Sequence, residues 1–130
     1  MTQLQIAGLY AALNAIIMLV LGMHVSRMRG KTKINLGDGG NPELLRAIRA
    51  HGNNTEYVPF ALILMSLLAL QQASVMLLHG LGLALTLGRI AHGLGLSRSA
   101  GLSLGRGLGT GLTYLTILLA AVMLIVIALR

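Results

Sequence analysis

The stretch LQIAGLYAALNAIIMLVLGMHV, residues 4–25, contains no Asp, Glu, Lys or Arg. About 20 apolar residues in helix span the hydrocarbon core of a bilayer. The run is longer than the apolar core of a signal peptide, lacks a basic start and is followed by no small-x-small cleavage site. It is therefore expected to be a retained first helix. Directly after it come Arg27, Arg29, Lys31 and Lys33, a basic cluster of the kind that fixes topology at a membrane face.

Past this cluster the glycines at 37, 39 and 40 break structure, and Asn41-Pro42-Glu43 reads as a helix start. Asn is a preferred cap, Pro is tolerated at the first helical position, and an acid suits the positive end of the helix dipole. A second helix over 42–70 would be roughly 43 Å long, more than the ~30 Å hydrocarbon core. Its first half is polar and its second half apolar, with a bend expected at Pro59 because proline removes a backbone donor. Gln71-Gln72 is a turn, Ser74 a cap, and 75–96 a third span. A Gly- and Ser-rich connector, 97–105, leads to a fourth span over 106–129.

The expectation is an all-α integral membrane four-helix bundle forming a single domain over 1–130. Composition agrees. Hydrophobic residues make up 55% of the chain, and only three acids, Asp38, Glu43 and Glu56, stand against ten Lys and Arg. A soluble domain of this size could not cover that much apolar surface. The basic excess does not point to nucleic acid, because the chain has no Trp and only one Phe and three Tyr for base stacking. Without cysteine there is no disulfide or thiolate ligand, and no His/carboxylate cluster suggests a metal. Gly30-Lys31-Thr32 resembles the end of a phosphate-binding loop, but Val25 stands where that loop needs glycine. The first and third loops hold Arg27 to Lys33 and Arg98 with Arg106. The positive-inside rule then places both termini away from the cytoplasm.

The costly residues gather at that basic side. Arg46, Arg49, Asn53 and Glu56 follow one another at intervals of three, four and three, which makes one stripe on a helix. Arg89 and His92 end the third helix, and Arg106, Thr110, Thr113 and Tyr114 begin the fourth. Charges within a membrane usually face a cavity or a partner. Glu56 can pair with Arg49 on its own helix or with Arg89 across helices. The result is a cationic pocket with one acid, suited to a small molecule carrying carboxylates and an ammonium group. Other pieces have plainer readings. Arg46 can snorkel to the interface, His24 and His79 can be packing residues, and Gly101, Gly105 and Gly109 form a small-xxx-small ladder for close helix contact.

The run Glu43-Leu44-Leu45-Arg46-Ala47-Ile48-Arg49-Ala50-His51-Gly52-Asn53-Asn54-Thr55-Glu56-Tyr57-Val58-Pro59 resembles the signature of the MAPEG family, the membrane-associated proteins in eicosanoid and glutathione metabolism. Gly88-Arg89-Ile90-Ala91-His92 and Arg106-Gly107-Leu108-Gly109 are similar to its third- and fourth-helix motifs in small bacterial members. The resemblance implies a homotrimer in the bacterial inner membrane that binds glutathione between subunits at the cytoplasmic end. It implies a transferase or peroxidase acting on a hydrophobic electrophile through the glutathione thiolate. Arg27, Arg49, Asn53, Glu56, Arg89 and His92 would hold the tripeptide. Arg106 would sit near the sulfur, and Thr110, one turn on, could supply a hydroxyl. Gly52, Leu96 and Gly107 stand where some members carry a basic residue, Tyr and Ser. The lost hydroxyls leave open a non-enzymatic glutathione- or lipid-binding scaffold. A small multimeric transporter would need more interrupted helices than the one proline-bearing span offers.

Overall fold

The structure is a computed structural model that describes residues 1–98 and 103–130. It contains four helices: α1 (Gln3–Thr32), α2 (Pro42–Leu70), α3 (Val75–Arg98) and α4 (Leu104–Ala128). Each start has a local cause. Thr2 and Gln5 form a capping box, with Thr2 Oγ1 accepting from the Gln5 amide at 3.2 Å and Gln5 Oε1 from the Thr2 amide at 2.7 Å. Asn41 Oδ1 accepts from the amides of Glu43 and Leu44 at 3.0 and 2.9 Å, with Pro42 opening α2 as expected. Ser74 Oγ accepts from the Leu77 amide at 3.2 Å. Ser103 caps α4 through the Arg106 amide at 3.3 Å, so that helix begins before residue 106.

α1 differs most from its expected extent. It continues past 25 through the basic cluster to Thr32, and ends at Lys33 in the left-handed conformation (φ 61°). Lys and Arg are good helix formers and suit the negative end of the dipole, so the charges extend the helix. Arg29 Nη1 then donates to the carbonyls of Ile34 and Gly37, at 3.2 and 2.9 Å, and holds the loop to α2 in place. α2 runs unbroken through Pro59. The connector reading over 97–105 and the first rung of the glycine ladder, Gly101, fall partly or wholly outside the described residues, as does the side chain of Arg98.

α2 and α3 are central, each packing against both α1 and α4. Toward the chain termini an apolar cluster joins Ile6 and Tyr10 of α1, Met65 and Leu68 of α2, Leu78 and Leu85 of α3, and Ala120 of α4. Toward the opposite end lies a smaller one of Leu21, Ala50 and Leu96. Between them a buried polar layer holds Asn14, Asn54, Thr86, Arg89, His92 and Thr113. The outward faces are apolar as well; Leu19, Phe60, Leu87 and Leu118 are all exposed. A bundle apolar inside and outside is built for lipid. Among the described residues α1, the Val75–Leu96 part of α3, and α4 are long and apolar enough to cross a membrane, while α2 carries its charges in its first half.

Close contact between helices depends on residues without side chains. The Tyr10 ring of α1 lies directly on Gly82 of α3, and its hydroxyl meets His79 Nδ1 at 2.9 Å, which gives His79 the packing role expected of it. Asn14 Nδ2 ties the same two helices by donating to Thr86 Oγ1 at 3.0 Å. Gly82→Ala is expected to destabilise the bundle by about 1–3 kcal/mol, the usual cost of overpacking, because its Cβ would enter the Tyr10 ring. Gly80→Ala, two residues away with open space around it, serves as the neutral control. Equal thermal midpoints in detergent for both variants would contradict the α1–α3 contact.

Candidate anion site at the basic end of the bundle

The cap at Asn41 sets the phase of α2, and that phase directs Arg46, Arg49 and Asn53 toward the basic ends of α3 and α4. There they line a cavity of about 300 Å³ with His92 and Leu96 from α3 and Arg106 from α4. The structure thus brings Arg49, Asn53, His92 and Arg106 together. Arg46, for which the sequence offered both the stripe and the interface, joins them in the cavity wall. Arg46 is half-buried in the cavity wall, and its Nε is shielded from solvent without a hydrogen-bond acceptor. Among the described residues this Nε–H has no acceptor, so it is open to one supplied by water or a ligand.

Glu56 pairs with Arg49, Oε1 to Nη1 at 3.7 Å, with both side chains more than half exposed (52% and 58%). The alternative across helices is not made, because Arg89 is occupied elsewhere. Arg89 is only 1% exposed. Its Nε donates to Asn54 Oδ1 at 3.1 Å, Nη2 to Asn53 Oδ1 at 2.9 Å and to His92 Nδ1 at 3.3 Å, and Nη1 to Thr113 Oγ1 at 3.5 Å. It stands behind the cavity wall, joining α2, α3 and α4.

The remaining predicted residues lie apart from this cavity. Arg27 shares a groove of about 390 Å³ between α1 and α3 with His24, Leu21 and Arg89. Glu56 also borders a third hollow, about 530 Å³, between α2 and α4. There Tyr114 donates to the Tyr57 hydroxyl at 3.2 Å, with ring centroids 5.3 Å apart. Thr110 is half-buried on α4, and the Thr113 hydroxyl is committed to the Gly109 carbonyl at 2.8 Å and to Arg89. Sequence reasoning missed Asn54 and Tyr57. Both sit beside residues it singled out, and a helix turns adjacent positions about 100° apart, which aims Asn54 at the bundle interior while Asn53 reaches the cavity.

Chemically, the cavity offers three guanidiniums, an amide and an imidazole, and one of those guanidiniums, Arg49, is paired with Glu56. Arg forks take carboxylates bidentately.

Fold and site together define an integral membrane four-helix bundle with a cationic cavity between three helices at one end. The MAPEG family profile matches residues 7–126, nearly the full length, and the chain belongs to the MAPEG family. Over 87 residues it is 38% identical to the inner membrane protein YecN of Escherichia coli strain K12, and equally so to that of Escherichia coli O6:H1. The match covers 67% of this chain and 66% of the relative, just under two thirds of the relative's length. No solved structure matches the chain.

Proposed function

We propose that this protein is a glutathione-dependent transferase or peroxidase of the bacterial inner membrane, acting on hydrophobic electrophiles. The observation that carries the reading is the convergence of Arg46, Arg49 and Arg106 on one cavity with the buried Arg46 Nε unsatisfied. Glutathione has two carboxylates and one ammonium group, and the donor set fits it: carboxylates to the guanidiniums, ammonium to Glu56. Glutathione supplies the thiol that adds to an electrophile or reduces a hydroperoxide.

The chain's own residues orient and activate. Arg49 lines the cavity, pairs with Glu56 and grips a carboxylate. Arg106 lies in the first turn of α4, where the amides of the helix start add positive potential to its own charge. A thiol beside a cation and a helix N-terminus ionises more readily. The apolar second substrate comes from the bilayer.

The Arg49–Glu56 pair is more than half exposed on α2, next to exposed Phe60 and Ile63. Such a pair would be costly in hydrocarbon, which supports a homotrimer in which a neighbour covers this face and its Arg27 approaches the site. The expected mass in detergent is that of three 13.7 kDa chains. Both termini are assigned to the side away from the cytoplasm, opposite the basic end of α1.

Arg49→Ala and Glu56→Ala are each expected to weaken glutathione binding to detergent-purified protein by about tenfold or more, since hydrogen bonds to charged groups contribute ~1.5–3 kcal/mol. Undiminished affinity in both variants would remove the site.

A second reading, a binding protein without turnover, is favoured by one observation: no hydroxyl lines the cavity among the described residues. Thr113 is committed to Arg89 and Gly109, and Tyr114 to Tyr57. Glutathione binding with no conjugation across a panel of electrophiles would select it.

A further inference from the structure

We propose that Arg89 is a positioning residue that sets the selectivity of the cavity, by forcing Asn53 and His92 to present only donors to a ligand. The inference deepens the anion-site reading and rests on it. Arg89 itself stands behind the wall and does not line the cavity.

Hydrogen-bond inventory decides which atoms face the cavity. Asn and neutral His are amphoteric: each has a donor end and an acceptor end, and which faces a ligand is ordinarily open. Arginine has five donors and no acceptor. Whatever accepts from Arg89 must therefore use an acceptor atom. Asn53 meets Arg89 Nη2 at 2.9 Å, so its oxygen is turned to Arg89 and its amide NH2 is left for the cavity. His92 meets the same Nη2 at 3.3 Å through Nδ1, so Nδ1 carries no proton and Nε2 carries one. Asn54 and Thr113 fix the guanidinium from its other edges, at 3.1 and 3.5 Å, so it cannot turn away.

Arg46, Arg49 and Arg106 are donors by nature. With Asn53 and His92 fixed by Arg89, every polar side chain lining the cavity among the described residues donates. Such a wall accepts a group that has only lone pairs and rejects one carrying N–H, whose hydrogens would face other hydrogens. A carboxylate qualifies; a carboxamide or an ammonium does not. The charge on Arg89 adds to the effect. The chain's three acids are Asp38, Glu43 and Glu56; Glu56 is committed to Arg49, and all four partners of Arg89 are uncharged acceptors. Its charge therefore remains as positive potential behind the wall. For glutathione this assigns the ends: the glycyl carboxylate enters the donor-only cavity, and the γ-glutamyl ammonium stays outside with Glu56.

Two measurements on the full-length protein in detergent test this. The first is the tautomer of His92, read from long-range proton–nitrogen couplings in ring-labelled protein, with the His92→Phe spectrum identifying its signals. The expected form carries the proton on Nε2, in Arg89→Lys as in the native protein. Arg89→Gln, which can donate or accept, is expected to shift His92 toward the Nδ1-protonated form. The second is binding of glutathione against its glycine-carboxamide analogue. The native protein is expected to prefer the carboxylate by about tenfold or more, the scale of one charge-assisted hydrogen bond. Arg89→Gln is expected to lose most of that preference while still binding glutathione. A native His92 protonated on Nδ1, or an Arg89→Gln variant with unchanged tautomer and unchanged preference, would overturn the assignment. The native tautomer needs neither ligand nor an Arg89 variant, so it judges Arg89 even if Arg89→Gln fails to fold. Absence of glutathione binding to the native protein would instead count against the site's ligand.

Discussion

Arg106→Ala is expected to lower kcat/KM for glutathione conjugation to an aryl halide by about 10²-fold or more, the usual loss when a preorganised donor to a developing charge is removed. Two features of the structure concentrate that effect in one residue. Arg106 lines the cavity with Arg46 and Arg49. It also lies in the first turn of a helix whose start is fixed by Ser103. Its guanidinium and the amides of that turn act together, and both favour a thiolate over a thiol. Arg49 lies beside Glu56 and is expected to govern affinity. The two variants should therefore separate: Arg49→Ala raises KM, whereas Arg106→Ala mainly lowers kcat and changes glutathione affinity less. Arg106→Lys keeps the charge without the planar fork and should recover part of the rate. Full activity of Arg106→Ala would remove the residue from the chemistry. Glutathione binding with no turnover in the native protein would shift the assignment to a binder.

What the sequence revealed of this fold and what it concealed divide along the line between local and tertiary causes. The start of α2 was legible because Asn41, Pro42 and Glu43 act within four residues, and the Arg49–Glu56 pair was legible because a helix sets its own spacing. The end of α1 was misplaced because a basic cluster looks like a boundary, when only the glycines at 37, 39 and 40 and the left-handed Lys33 stop the chain. Arg46 could equally reach the interface or the bundle on spacing alone; the approach of α3 and α4 turns it inward. The role of Arg89 was hidden for the same reason. Its partners Asn53 and Asn54 lie 36 and 35 residues away, and no local pattern says that they, not Glu56, will meet it. Arg27 was joined to the site by family resemblance, and within one protomer it faces a different groove.

Gly109→Ala should be the most damaging single methyl among the described glycines. α3 and α4 approach more closely than helices with side chains can. A Cβ on Gly105 would stand 2.8 Å from the Ala91 carbonyl oxygen, and one on Gly95 2.8 Å from the Arg106 amide. At Gly109 the new methyl would press on the Gly88 carbonyl oxygen and lie 2.7 and 2.8 Å from His92 Cβ and N. These are largely backbone atoms, which cannot rotate aside, so the two helices must separate. In lipid there is little hydrophobic drive to bring them back, and dispersion attraction across the close interface, which holds such helices together, falls steeply as they part. A cost of at least about 3 kcal/mol is expected, the upper end for overpacking. Function should fall with stability, because Thr113, one turn on, bonds to the Gly109 carbonyl and to Arg89, and His92 is the cavity residue the methyl would displace. Gly111→Ala, on the same helix with open space around it, should be neutral or slightly stabilising through helix propensity. Thermal unfolding in detergent distinguishes the two. If Gly109→Ala melts together with Gly111→Ala and binds glutathione as the native protein does, α3 and α4 do not meet at this distance, and the wall that Arg106 and His92 share is not where the structure places it.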